Sequence, residues 1–197
     1  MSTDNTQTWV IAAVILLALV GAGWLIAREQ RRRQSQRLQQ RFGPEYTRVM
    51  SKQGDRARAE AELRARERRV ERFKLRALTA EDATKFGEAW AALQAQFVDN
   101  PRLAVVEADR LVRDLMVKRG YPMADFDHRA ADISVEHPTV VEAYRSARAI
   151  AVRDQDGQAS TEELRQAVVY YRTLFEELLE TRHPKFASAT HTETVHT

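Results

Sequence analysis

No cysteine occurs anywhere in the 197-residue chain. That absence removes disulfide frameworks, thiolate nucleophiles and Cys-based zinc or iron–sulfur sites. The short signatures of catalysis and nucleotide binding are missing as well. There is no P-loop, no dinucleotide glycine fingerprint, no H-E-x-x-H, no G-x-S-x-G and no S-x-x-K. No segment alternates apolar and polar residues between turn signals as a half-buried strand does. The length suits one compact domain with accessories and excludes two sizeable ones.

A strong excess of one charge is absent too, because 31 Lys and Arg face 28 Asp and Glu for a formal net charge of +3. The near-balance conceals a division. Residues 28–76 carry 17 basic against 7 acidic side chains, whereas 77–197 carry 14 against 20. The basic excess is therefore local and lies beside an N-terminal apolar run, while the rest of the chain is acidic.

That run is WVIAAVILLALVGAGWLIA, Trp9 to Ala27, 19 residues without a charge. As a helix it matches the hydrocarbon core of a bilayer, about 30 Å. Trp9 and Trp24 stand near its two ends, where indoles favour the headgroup layer. A secretory signal needs a basic start, and MSTDNTQT has none, so residues 9–27 are expected to form an uncleaved transmembrane helix. Arg28, Arg31, Arg32, Arg33 and Arg37 crowd the C-terminal flank. The positive-inside rule then leaves residues 1–8 outside and the remainder in the cytoplasm, at the inner membrane, with these arginines against anionic headgroups. Gly23 and Ala27 stand at small-xxx-small spacing, as do Ala18 and Ala22, although small residues are common in any membrane helix.

Residues 28–78 read as a basic helical stalk. Gly43-Pro44 in RFGPEY breaks it once, with glycine suited to end one helix and proline to begin the next. Gly54-Asp55 breaks it again, with Asp55 placed as an N-cap. RARAEAELRARERRVERFKLRAL then reads as one charged helix. Ala59, Leu63, Val70, Phe73 and Ala77 fall on a heptad seam, interrupted by Arg66, which is compatible with a short coiled coil. Glu60, Glu62, Glu67 and Glu71 can pair with nearby arginines, so a solvated spacer with lipid contact is the leading expectation. Nucleic acid ranks well behind, since no aromatic stacking platform accompanies the arginines.

Residues 79–182 are expected to form an antiparallel bundle of four to five helices, making the chain all-α. Thr79 caps a helix with Phe86, Trp90, Leu93 and Phe97 on one face. Asn100-Pro101 opens another, which buries Ala104, Val105, Ala108, Leu111, Val112, Leu115 and Met116 and ends at Gly120. His137-Pro138 begins a third, with Val140, Tyr144, Ala147 and Ala151 on a stripe. Ser160 and Glu163 stand at capping-box spacing before a helix that presents Leu164, Ala167, Val168, Tyr171, Phe175 and Leu178. Residues 183–197 are polar and expected to be disordered.

RFGPEY (41–46), FVDNP (97–101), RGYP (119–122), RAADISVEHPTVVEAYR (129–145) and STEELRQAVVYYRTLFEELL (160–179) resemble a family of short bacterial proteins with a helical domain. The resemblance covers most of the chain after residue 40. It implies a helical fold, and brings no activity and no site residue.

Two constellations bear on chemistry. If residues 127–136 are helical, His128, Asp132 and Glu136 fall at i, i+4, i+8 on one face, able to contribute to a divalent metal site or to acid/base work. The simpler reading has Asp125 or Asp127 capping a short helix while Ala130, Ala131 and Ile133 pack inward. VRDQDGQASTEE places Asp154, Asp156, Gly157 and Glu163 at calcium-loop positions, but Val152 occupies the first and offers no side-chain oxygen. His183, His191 and His196 are too scattered to form a preorganised set. The sequence is therefore read as a membrane-anchored adaptor or scaffold without catalysis or cofactor, its partner being another protein or a second copy. A metal-dependent hydrolase built on the His128 face and membrane-tethered nucleic-acid binding through the stalk are the alternatives.

Overall fold

Helix termini in this chain are set by local capping chemistry, and the structure follows those signals closely. The computed structural model describes the backbone of residues 3–180, with the side chains of residues 19 and 21–180. Among these residues the fold is all-α, with eight helices: α1 (Thr3–Phe42), α2 (Pro44–Gln53), α3 (Arg56–Val70), α4 (Ala80–Gln96), α5 (Pro101–Arg119), α6 (Phe126–Glu136), α7 (Val141–Gln155) and α8 (Thr161–Glu180). Gly43 turns α1 into α2 with φ at 47°, a left-handed value that favours glycine. Asp55, Thr79, Asn100 and Asp125 each accept a backbone N–H in the first turn of the following helix. Ser160 and Glu163 satisfy each other reciprocally: the Ser160 N–H donates to Glu163 Oε2 at 2.8 Å and the Glu163 N–H donates to Ser160 Oγ at 3.3 Å.

The helical-bundle expectation holds. α8 packs against α5 and α7, and α4 lies on α5. Every apolar position anticipated on α5 and α8 is buried. Tyr144, Tyr171 and Phe175 are among the largest fully buried side chains of this core, with Phe175 stacked on Trp90 at 4.5 Å between centroids.

Three features differ from expectation. The charged helix ends at Val70 instead of running to Leu78, and residues 74–79 carry no regular secondary structure. The Arg76 N–H donates to the Arg119 carbonyl at 2.8 Å, and Phe73, Leu75 and Leu78 pack against the bundle core. Tertiary burial thus outweighs the helix preference of this segment. Ala77 of the heptad seam is exposed, while Ala59, Leu63 and Val70 pack against α1, α2 and α6 of the same chain. Finally, α7 begins at Val141, because His137 closes α6 by donating its N–H to Ile133 and Pro138 lies in the turn that follows.

Residues 28–78 do not behave as a solvated spacer. Leu38, Phe42, Tyr46, Val49, Ala59, Leu63 and Val70 form a second core that is closed by Val135 of α6. Among the described residues no helix is long and apolar enough to cross a membrane. The transmembrane expectation gains no support there. Most of Trp9–Ala27, including the Trp9 side chain, lies outside the described side chains, as residues 181–197 with the tail histidines lie outside the described residues.

Candidate functional site

Two charged places stand out: a buried seam between α2–α3 and the bundle, and a basic cleft between α1 and α3. The seam is centred on Glu45, 2% exposed in the first turn of α2. Arg145 of α7 grips its carboxylate with a two-pronged contact, Nη1 to Oε2 at 2.6 Å and Nη2 to Oε1 at 2.9 Å. Arg66 of α3 donates to the same carboxylate at 2.8 Å and to Ser134 Oγ of α6 at 3.3 Å. Glu62 takes a further Arg66 contact one turn away. Two carboxylates therefore neutralise two guanidinium groups, and every ion has several hydrogen bonds, as burial of charge requires.

The row His128, Asp132 and Glu136 lies on the same seam. Asp132 is buried and meets Arg69, whose Nε donates to Oδ1 at 2.6 Å. Burial pushes its carboxyl up from the ordinary range, with the Arg69 hydrogen bond opposing. Glu136 faces Arg41 of α1 at 3.8 Å, and Arg41 also reaches Glu67 at 3.0 Å. His128 is exposed, with Nδ1 2.6 Å from Asp125 Oδ2. Asp125 also accepts the His128 backbone N–H, and this bond first, then the imidazole, holds its carboxyl below the usual range. The three residues thus have three different partners, and no group of three or more His, Asp or Glu among the described residues is arranged to hold a metal ion. His128 does open onto a small cleft of about 240 Å³ shared with Lys52 and Arg69.

The calcium-loop positions disperse as well. Asp154 faces Arg102 at 3.3 Å, Glu163 is engaged by Ser160 and Arg153, and Gly157 makes the turn with φ at 70°.

The basic cleft has a volume of about 940 Å³ and is lined by Trp24, Arg28, Arg31 and Arg32 of α1 with Arg56 and Arg64 of α3. Arg28 lies over the Trp24 ring at 5.4 Å. Of the carboxylates at its wall, Asp55 caps α3 through the Arg58 N–H. Glu60 accepts from Tyr46 at 3.0 Å and Arg56 Nε at 2.9 Å. Ala27, the last residue of the expected span, also lines this cleft; of the other arginines anticipated at the headgroups, Arg33 pairs with Glu29 at 2.9 Å and Arg37 is exposed outside it.

Sequence reasoning missed Glu45 and Arg145 altogether. Arg66 carried a usable signal, because an arginine on an otherwise apolar stripe marks a buried ion partner as readily as an interrupted coiled coil. The chain matches no known protein-family model, and no curated protein and no solved structure is significantly similar to it.

Proposed function

We propose that the protein is a membrane-anchored helical adaptor or scaffold, held by Trp9–Ala27 with its helical body on the cytoplasmic face of the inner membrane. It acts by binding another protein or a second copy of itself. One observation carries the reading: α1 is continuous from Thr3 to Phe42, so the apolar run and the buried residues Leu38 and Phe42 belong to one rod. Leu19, Trp24, Leu25 and Ile26 on that rod are each more than half exposed, an apolar surface that the fold does not cover. A body joined rigidly to its anchor would present a fixed face to its partner.

The alternatives lack such an observation. A hydrolase built on His128, Asp132 and Glu136 would need those groups to converge, and each is engaged elsewhere. Binding a nucleic acid requires arginines free for phosphates. Arg41, Arg48, Arg66 and Arg69 all face carboxylates of their own chain. The test is alkaline carbonate extraction of membranes carrying the full chain, followed by crosslinking in intact membranes and mass spectrometry. The expected result is retention in the pellet with crosslinks to one partner or to a second copy. Release into the supernatant, or a chain crosslinked only within itself, would overturn the reading.

A further inference from the structure

The cleft between α1 and α3 has a direction that bears on what it holds. Glu60 interacts with Ser35, and Glu67 with Arg41, so α3 runs alongside α1 in the same sense. Its N-terminal end, with Arg56, therefore points back toward the apolar run and comes level with Arg31 and Arg32. At 1.5 Å per residue, Arg31 lies about 6 Å beyond Ala27, the last residue of that run. The headgroup layer of one leaflet is about 5–7 Å thick. If residues 9–27 span the bilayer, the cleft opens within the layer where lipid phosphates reside.

The lining is suited to an anion. Five arginines face two carboxylates, Asp55 and Glu60; Asp55 caps α3, and Glu60 accepts from the Tyr46 hydroxyl and engages Arg56 through its Nε. Arg31 and Arg32 have no carboxylate within ion-pair distance among the described residues. Trp24 supplies an amphipathic ring at the mouth, with the Arg28 guanidinium above it. Guanidinium groups match phosphate oxygens in pairs, and groups arriving from two helices can surround one phosphate where a single helix face cannot.

We propose that this cleft binds the phosphate of one acidic phospholipid per chain, with Arg31, Arg32 and Arg56 as its ligands and Trp24 against the glycerol–acyl boundary. The proposal rests on the anchored reading above. It goes beyond diffuse attraction of a basic flank to anionic lipid. It assigns a stoichiometric site, gives α3 a part in it, and leaves Arg33 and Arg37 outside.

The test uses the full chain in nanodiscs of zwitterionic lipid containing a minority of acidic phospholipid, examined by native mass spectrometry. One acidic lipid is expected to remain with each chain. Arg31→Gln combined with Arg56→Gln is expected to reduce its retention about thirtyfold, given roughly 1 kcal/mol per cation near an anionic surface. Arg33→Gln combined with Arg37→Gln removes the same charge and should leave retention unchanged. Circular dichroism of both variants checks that helicity is intact. Equal losses from the two pairs would show a diffuse flank and overturn the site while leaving the anchor standing. Failure of the chain to enter nanodiscs would remove both. A calorimetric arm with dissolved glycerophosphate separates the sources: affinity equal to that for the lipid would mean a soluble phosphate ligand and overturn the lipid assignment.

Discussion

The two cores of this molecule are built differently. Around α5, α7 and α8 the interior is mainly apolar, and Asp109, which accepts the Tyr171 hydroxyl at 3.1 Å, is one of its few buried charges. The smaller core beneath α1–α3 is edged by ions: Glu45, Glu60, Arg66 and Asp132 are all buried. Apolar burial is non-directional and stabilises many similar packings. Ion pairs with two-pronged geometry stabilise only one, because a small rotation breaks several hydrogen bonds together. On this argument the bundle supplies most of the stability, whereas the ionic seam fixes how α1–α3, and with them the N-terminal rod, are oriented on the bundle. That seam is offered as a specificity device, since a well-packed apolar replacement of buried ions is often neutral or stabilising.

The largest effect should come from the apolar side of this comparison. Phe175→Ala removes the ring stacked on Trp90 and is expected to cost about 3–5 kcal/mol, read from urea unfolding. The loss should appear in one transition together with α1–α3; a separate transition of the N-terminal layer would show that the two cores fold independently.

Next in size is Glu45→Gln, which leaves Arg66 and Arg145 without their shared carboxylate at a cost of about 3 kcal/mol. Hydrogen exchange should then rise in α2 and α3 more than in α8. Uniform acceleration would argue against an orienting role for the seam.

Gly120→Ala probes the joint between the layers. Gly120 has φ at 91°, and a Cβ there would sit 2.5 Å from the Lys74 carbonyl oxygen. Strain together with displacement of the Lys74–Leu75 backbone should cost about 1–3 kcal/mol.

The smallest effect is a difference in pH dependence. Burial pushes the Asp132 carboxyl up and Arg69 only partly offsets it, so the folded chain holds that proton more tightly than the unfolded one. Its contribution is fully present below the ordinary carboxylate range and fades as pH rises through the raised value. For Glu60, burial also acts upward, but hydrogen bonds from Ser35, Arg56 and Tyr46 outweigh it and hold the carboxyl low. That contribution is present above the ordinary range and is lost as pH falls through the lowered value. Asp132→Asn should therefore steepen the rise of stability with pH, while Glu60→Gln should flatten it. Urea midpoints followed across the carboxylate range, about pH 3 to about pH 7, would show whether the slopes diverge.

Much of the fold was legible in advance because its signals act over one helical turn. Asn100 bonds the Leu103 N–H three residues on, and Asp125 bonds His128 at the same separation. The apolar stripes of α5 and α8 were readable for a related reason: a helix must bury its one apolar face somewhere, whatever covers it. The candidate site was less legible. The row of His128, Asp132 and Glu136 could be placed on one face, but a metal site, a wet surface and a docking seam all present the same spacing. Nothing in that spacing distinguishes them; the arrival of Arg69 and Arg41 does.

What the sequence determined by itself is where most helices start, which stripes turn inward and where basic charge collects, since each depends on neighbours along the chain. Only the tertiary structure decided what became of the charges. Glu45 and Arg145 are 100 residues apart, and Asp132 and Arg69 are 63 apart. Whether an arginine remains hydrated or is drawn into a core depends on which carboxylate the packing brings to it, and no local pattern records that distance. The early end of α3 has the same origin: its last apolar residues gain more by lying across Gly120 and the bundle than by another helical turn.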